Sequence, residues 1–297
     1  MPLEAGLLQR RDLIAGGLAG AAAFAARPAW SAGTDAAFRA IEARTGGRLG
    51  VSMTRQGDTH VGWRENERFL MCSTFKAMAA AAVLARVDHG SERLDRWIAY
   101  GPGDILSYAP VSKANLAKGG MTLGDLCAAA VELSDNTAAN LILAALGGPA
   151  GVTRYIRALG DKTTRLDRTE PALNVPRPGT TWDTTTPASM VGLWNRVLLG
   201  TALSSVSRNQ LRAWLAACQT GEDRLPAALP KDRHWTIGHK TGTGSTTIGD
   251  VAIVQPAEGR PILIAVYLDV PHAGTDAHDA AIAEAGRIAF AHLRGMT

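Results

Sequence analysis

Cysteine is scarce: Cys72, Cys127 and Cys218 are the three in a chain of 297 residues. No C-x-x-C joins any two of them, so the sequence offers no dithiol redox motif, and an odd count leaves at least one thiol free in any compartment. All three read as small buried hydrophobes. The seven histidines form no H-E-x-x-H and no H-x-H pair, so no metal site and no cofactor is expected. There is no run of Lys and Arg interleaved with aromatics. The formal charge is +4, of which the first 31 residues carry +1, too little and too dispersed to suggest a nucleic-acid partner. Internal repeats and low-complexity stretches are also lacking. No apolar run is long enough to span a bilayer.

What is present is an ordinary globular composition, 46% hydrophobic and 20% charged, in a chain long enough for one large core or two interleaved ones. The first 31 residues read as a leader. Arg10-Arg11-Asp12-Leu13-Ile14 is a twin-arginine pattern, followed by an Ala/Gly/Leu run from Leu13 to Ala26 of signal-core length, with small residues near Ala29 to Ala32 for cleavage. Such a signal exports proteins already folded, so a periplasmic or secreted bacterial location is expected, with no membrane contact after cleavage.

Strand patterns lie at both ends of the remainder and helical patterns in the middle. Asp35 to Thr45 reads as a helix ended by Gly46-Gly47, and Arg48 to Thr54 with His60 to Arg64 as two strands. From Ser73 to about Cys218 the periodicity is mostly helical. Trp235 to Lys240, Val251 to Gln255 and Ile262 to Leu268 read as strands, and Asp276 to Arg294 as a closing helix. A compact solution folds the two ends (32–66 and 215–297) into one antiparallel five-stranded sheet flanked by helices, an α/β unit. Residues 67–214 then form an all-helical second lobe, with a site between the two. Residues 165–183 resist assignment: Pro171, Pro176, Pro178 and Gly179 break any period, and a long structureless loop in a compact domain is usually functional. An Arg168–Asp183 ion pair at its ends would pin it closed.

Four short motifs are each ambiguous alone. Ser73-Thr74-Phe75-Lys76 puts a hydroxyl at a helix start and an amine one turn on, on the same face, where the helix N-terminus favours developing negative charge. Ser73 is equally a plausible N-cap, and Lys76 serves as a base only if burial or a second cation lowers its pKa. Ser134-Asp135-Asn136 joins two helices, presenting a hydroxyl and an amide or simply capping the second. Glu170 and Asn174, four residues apart, either hold one water between them or sit in a solvated loop. Lys240-Thr241-Gly242-Thr243 ends a strand, offering a cation, hydroxyls and a Gly for close approach, or is only a strand-to-turn transition.

Together they occur in the order S-x-x-K, S-D-N, E-x-x-L-N, K-T-G. With Leu166-Asp167-Arg168-Thr169-Glu170-Pro171 and Asp183-Thr184-Thr185-Thr186-Pro187, the mature chain closely resembles the class A serine β-lactamases. The resemblance implies an antibiotic-resistance hydrolase in which Ser73 attacks the cyclic amide and Lys76 and Glu170 share the base role. Ser134 would relay a proton to the leaving nitrogen, and Glu170, helped by Asn174, would activate the water that releases product. Asn136 would bind the acyl side chain, Tyr108 line the cleft, and Lys240, Thr241, Gly242 and Thr243 hold the substrate carboxylate with Arg224. The backbone N–H groups of Ser73 and Thr243 would form the oxyanion hole. The partners implied are small β-lactams, and the expected state is a monomer.

Departures from the family pattern are Leu70 where Pro is common and His239 where an Asp is usual. Cys127 and Cys72 face Ala80 and Gly244 at the positions that pair with them in some members. The rival readings are a DD-peptidase or penicillin-binding protein, which would lack Glu170 and its water, and a non-catalytic β-lactam sensor, which would carry a membrane span.

Overall fold

The computed structural model describes residues 30–58 and 61–294; the leader expected at 1–31 falls, but for its last two residues, outside them. In chain order the elements begin with α1 (Ala32–Thr45), β1 (Arg48–Arg55), β2 (Val61–Trp63), β3 (Phe69–Leu70), α2 (Phe75–Asp88), β4 (Trp97–Ala99), α3 (Pro110–Ala114) and β5 (Gly120–Thr122). They continue with α4 (Leu123–Glu132), α5 (Asn136–Leu146), α6 (Pro149–Ala158), β6 (Thr184–Thr185), α7 (Pro187–Leu198) and α8 (Ser205–Ala216), and end with β7 (Thr236–Thr243), β8 (Thr247–Gln255), β9 (Ile262–Asp269) and α9 (Asp276–Arg294).

Both ends of the chain enter one antiparallel five-stranded sheet, in the order β2-β1-β9-β8-β7. Alternation of side chains places successive residues of a strand on opposite faces, and β9 is buried on both. Ile262, Ile264, Val266 and Leu268 face a core with Phe38 and Ile41 of α1 and Phe290 of α9. Leu263, Ala265 and Tyr267 face a second core, shared with α7, α8 and α2. A strand buried on both faces reads as an unbroken apolar run, which is how Ile262 to Leu268 is legible in sequence.

The helical lobe is built around α2. Every residue from Phe75 to Ala85 is buried, as expected of a helix apolar all round. Its alanines let α4, α5, α6 and α8 approach closely. Ends are set by local chemistry: Ser31 caps α1 by accepting from Thr34 N, and Gly46 closes it at φ 63°; Thr122, Asp135, Thr186 and Ser204 cap α4, α5, α7 and α8. Trp30 and Ser31, placed with the leader by sequence, pack on the fold: Trp30 is buried edge-on against Phe38 and His292. A division at residue 214 would cut α8.

Two strands run well beyond their sequence pattern. β7 continues through Lys240-Thr241-Gly242 to Thr243, and β8 starts at Thr247, joined by a turn in which Gly244 N donates to Thr247 O at 2.8 Å. β7 is an edge strand, and its last residues lie against the turn that precedes α2. Gly242 is glycine because of that contact: a Cβ there would stand 2.7 Å from Met71 O and 3.1 Å from Cys72 Cβ. This packing against the nucleophile turn is a reason for glycine that the motif does not signal. Among the described residues no helix is long and apolar enough to cross a membrane.

Candidate active site

Ser73 sits in a 3-10 turn, Cys72–Thr74, that runs directly into α2. The turn is held from two sides. Thr74 Oγ1 donates to Met71 O at 2.7 Å and lies 2.9 Å from Tyr267 Oη of β9, and Met71 N donates to Asp183 O. Cys72, just before the nucleophile, has φ 45°, and Ser134 has φ 57°. Left-handed backbone at non-glycine residues costs of order 1–3 kcal/mol and persists where surroundings enforce it, as they do at reactive sites.

The side chains expected to act together do converge. Lys76 is fully buried, and its ammonium meets Ser134 O at 2.8 Å, Asn136 Oδ1 at 2.6 Å and Glu170 Oε1 at 3.0 Å. A buried ion pair is tolerable only when its remaining hydrogen-bonding groups are met, and all three ammonium protons have acceptors. Burial lowers the pKa of Lys76, while the charge and hydrogen bond of Glu170 hold it up. Ser73 Oγ donates to the same Glu170 Oε1 at 3.3 Å. The oxygen nearest the nucleophile's proton is therefore Glu170's, and Lys76 joins through it. Ser134 Oγ lies 3.4 Å from Lys76 Nζ and 3.1 Å from Lys240 Nζ, bridging the two lysines.

Glu170 is fixed by its loop. Asn140 of α5 grips its backbone at two points, Nδ2 to Glu170 O and Glu170 N to Oδ1, both at 2.9 Å. Asn174 Nδ2 donates to Glu170 Oε2 at 2.5 Å, and the buried Asn174 Oδ1 has no protein partner. The loop ends are pinned as expected, Arg168 Nε to Asp183 Oδ2 at 2.6 Å, but not on the surface. Asp183 is fully buried and also accepts from Asp167 N and Arg168 N through Oδ1. Asp135 both caps α5 and accepts from Val111 N, Ser112 N and Ser112 Oγ, tying α3 beside the cleft. Asn140 carries no signal in the sequence beyond its place after the S-D-N motif.

At the other end lie Lys240, Thr241 and Thr243. Burial lowers Lys240 to about 7, with Lys76 also pushing down and Cys218 pulling up; a bound carboxylate would restore its charge. Thr241 Oγ1 is 2.6 Å from Thr220 Oγ1, a contact unsignalled in sequence. Tyr108 is half-exposed at the rim, and its carbonyl accepts from Asn136 N. Arg224 reaches this strand but is buried. Nε pairs with Asp279 at 2.8 Å, one terminal nitrogen donates to Gly242 O at 3.1 Å and Gly249 O at 3.0 Å, and the other to Thr243 Oγ1 at 2.8 Å. Four of the five guanidinium N–H groups are committed, so the two-pronged grip expected of an Arg fork is not available to a ligand. Cys72, Cys127 and Cys218 are all free thiols.

Comparison with known proteins agrees with this geometry. The family model described as "Beta-lactamase enzyme family" matches residues 34–293. The chain is 41% identical over 253 residues to β-lactamase CTX-M-97 of Escherichia coli, covering 84% of this chain and 86% of that one. It is 42% identical over 259 residues to the carbapenem-hydrolyzing β-lactamase KPC of Klebsiella oxytoca, covering 86% and 87%. Among solved structures, the class A β-lactamase of the last common ancestor of Gram-negative bacteria superposes with a TM-score of 0.85 at 50% identity, over 88% of this chain and 100% of that one. A β-lactamase from Burkholderia vietnamiensis superposes at 0.86 with 42% identity, over 90% and 99%. A sheet closed by the two chain ends, a buried lysine–glutamate pair at a helix-start serine, and these likenesses together mean that the chain belongs to the class A serine β-lactamases, enzymes that hydrolyse β-lactam antibiotics.

Proposed function

We propose that this enzyme opens β-lactams through an acyl-enzyme on Ser73 that a Glu170-activated water then releases, and that it thereby confers resistance on its host. The observation that carries the reading is the double use of Glu170: Oε1 accepts from Ser73 Oγ and pairs with Lys76, while Oε2 is held by Asn174. In acylation the Ser73 proton passes towards Glu170 and Lys76 as Oγ attacks the ring carbonyl. The Ser73 and Thr243 N–H groups take the oxyanion. Ser134, hydrogen-bonded to both lysines, hands a proton to the departing ring nitrogen. Lys240, Thr241 and Thr243 anchor the carboxylate, aided by the field of Arg224, and Asn136 and Tyr108 contact the acyl side chain.

In deacylation Glu170 and the unpartnered Asn174 Oδ1 offer acceptors on either side of one water, and Glu170 takes its proton. The Glu170 loop favours this over the peptidase and sensor readings, in which acylation is not followed by fast hydrolysis. Exposure of Glu170→Ala to a penicillin, followed by mass spectrometry, should show a lasting adduct on Ser73; wild-type turnover in that variant would remove Glu170 from the mechanism. We further propose export through the Arg10-Arg11 signal and action as a monomer, to be checked by sedimentation.

A further inference from the structure

Trp30 and Ser31 stand where the sequence pattern ends the leader, yet both are parts of the folded enzyme. Trp30 is 5% exposed and belongs to the core that holds Phe38, Ile41 and Phe290. Its indole meets the Phe38 ring of α1 edge-on, with centroids 5.3 Å apart, and the His292 ring of α9 at 4.7 Å. One side chain thus clasps α1 to α9, which also pack on each other. Ser31 begins α1. Its Oγ accepts from Thr34 N at 3.2 Å and lies 2.9 Å from Thr34 Oγ1, and its carbonyl accepts from Asp35 N at 3.0 Å.

A leader peptidase reads small residues three places and one place before the bond it cuts. From Phe24 to Thr34, counting Ala, Gly and Ser as small, three bonds qualify: Ala25-Ala26, Ser31-Ala32 and Gly33-Thr34. Earlier bonds have small neighbours too, but a cut there shortens the apolar core that the signal needs. The two later bonds are closed by the fold. Ser31, Ala32 and Gly33 are exposed, but cleavage is governed by hydrogen bonding of the backbone as well as by exposure. The carbonyl of the Ser31-Ala32 bond is the one committed to Asp35 N, and Gly33-Thr34 lies inside α1. To occupy a peptidase across Ser31-Ala32, Trp30 would have to leave the core. A cut there would also strip α1 of its cap. A cut after Ala25 disturbs neither residue.

We propose that the leader is removed at the Ala25-Ala26 bond, so that the exported enzyme starts at Ala26 and keeps Trp30 as the clasp between α1 and α9. The step is a hydrolysis. Water adds across the peptide bond, leaving the Ala25 carboxylate on the leader and the Ala26 ammonium on the enzyme. This rests on the twin-arginine export proposed above, because only a cargo that folds first presents Trp30 and Ser31 already seated when the peptidase arrives.

The test expresses the full chain in a Gram-negative host and reads the first residue of the periplasmic enzyme by N-terminal sequencing and intact mass. Ala26 should be first; a start at Ala32 or Thr34 overturns the proposal. Ala25→Leu should leave the chain uncut at this bond, whereas Ala29→Leu, which spoils only the Ser31-Ala32 site, should be processed as before. Unchanged removal in the first variant, or blocked removal in the second, also overturns it. Export and cutting that survive Arg10→Lys with Arg11→Lys overturn the export reading alone, and the first residue still decides the cut. Trp30→Ala should lower the Tm of the processed enzyme by roughly 6–12 °C, the scale of a truncated core aromatic in a chain of this size. An unchanged Tm overturns the clasp.

Discussion

Arg224→Ala should damage stability as well as catalysis, because the side chain is a strut before it is a ligand. It bridges the carbonyls of Gly242 and Gly249, directly opposite one another on β7 and β8, and ties both to Asp279 of α9. Asp279 is one-quarter exposed and resolvates when the partner goes. The two glycine carbonyls are buried, and an unmet buried acceptor costs about 1–3 kcal/mol. Water entering the vacated space offsets part of that. A total near 3 kcal/mol corresponds to a fall of roughly 6–12 °C in Tm for a chain of this size. On the catalytic side one N–H remains to meet a substrate carboxylate, so the expected loss is one charge-assisted contact of about 1.5 kcal/mol, roughly tenfold in kcat/KM. The assay pairs thermal melts with kcat/KM on a cephalosporin acid and on its neutral ester. The acid should lose tenfold and the ester little. An unchanged Tm would refute the strut, and equal losses on acid and ester would refute any part in anchoring the carboxylate.

Asn140→Leu removes both grips on the Glu170 backbone; burst kinetics should show deacylation slowed at least tenfold, about 1.4 kcal/mol, with acylation less affected, and an unchanged steady state would make the clamp dispensable. Linkage gives a pH test. His239, held near 10 against an ordinary 6.5, contributes stability that is complete below about pH 6.5 and is lost as pH rises through 10. Cys218, lowered to about 7 from an ordinary 9.0, contributes stability that is complete above about pH 9 and is lost as pH falls through 7. The two oppose each other between, so urea melts of Cys218→Ala should lose stability more steeply than wild type from about pH 7 to 9, and equal slopes would break the linkage. Changing Arg10 and Arg11 to Lys should leave activity in the cytoplasmic fraction and abolish whole-cell resistance; undiminished periplasmic activity would point to another route.

The helices of the middle and the central strand β9 were legible because their burial is periodic or continuous over ten or so residues. The motifs named Ser73, Lys76, Ser134, Glu170 and Lys240, and the fold draws them into one cluster. What escaped reading depends on contacts between distant segments. Asn140 acts on a backbone 30 residues away, and Thr220 on a hydroxyl 21 residues on; neither leaves a periodic trace. The motif puts Arg224 near the right strand but carries no sign of its burial, since two of the acceptors that enclose it are backbone carbonyls common to any sequence and the others lie 19 and 55 residues away. β7 reads shorter than it is because Gly242 and Gly244 near its end interrupt the strand pattern, an effect that sheet pairing to β8 overrides.

The pairing of β1 with β9 also dictates when this chain can become itself. Arg48 meets Asp269 across 221 residues, so the central strand of the sheet is among the last parts to leave the ribosome. At about 5–20 residues per second β1 waits ten seconds or more for its partner. Until then both cores lack the strand that divides them, and the edge of β1 is open to other chains. The helical lobe has its own dense interior around α2 and can gather early. The sheet is then a late lock that closes only on a full-length product, and a chain cut short before Ile262 presents an unfilled seam to proteases instead of a near-native enzyme.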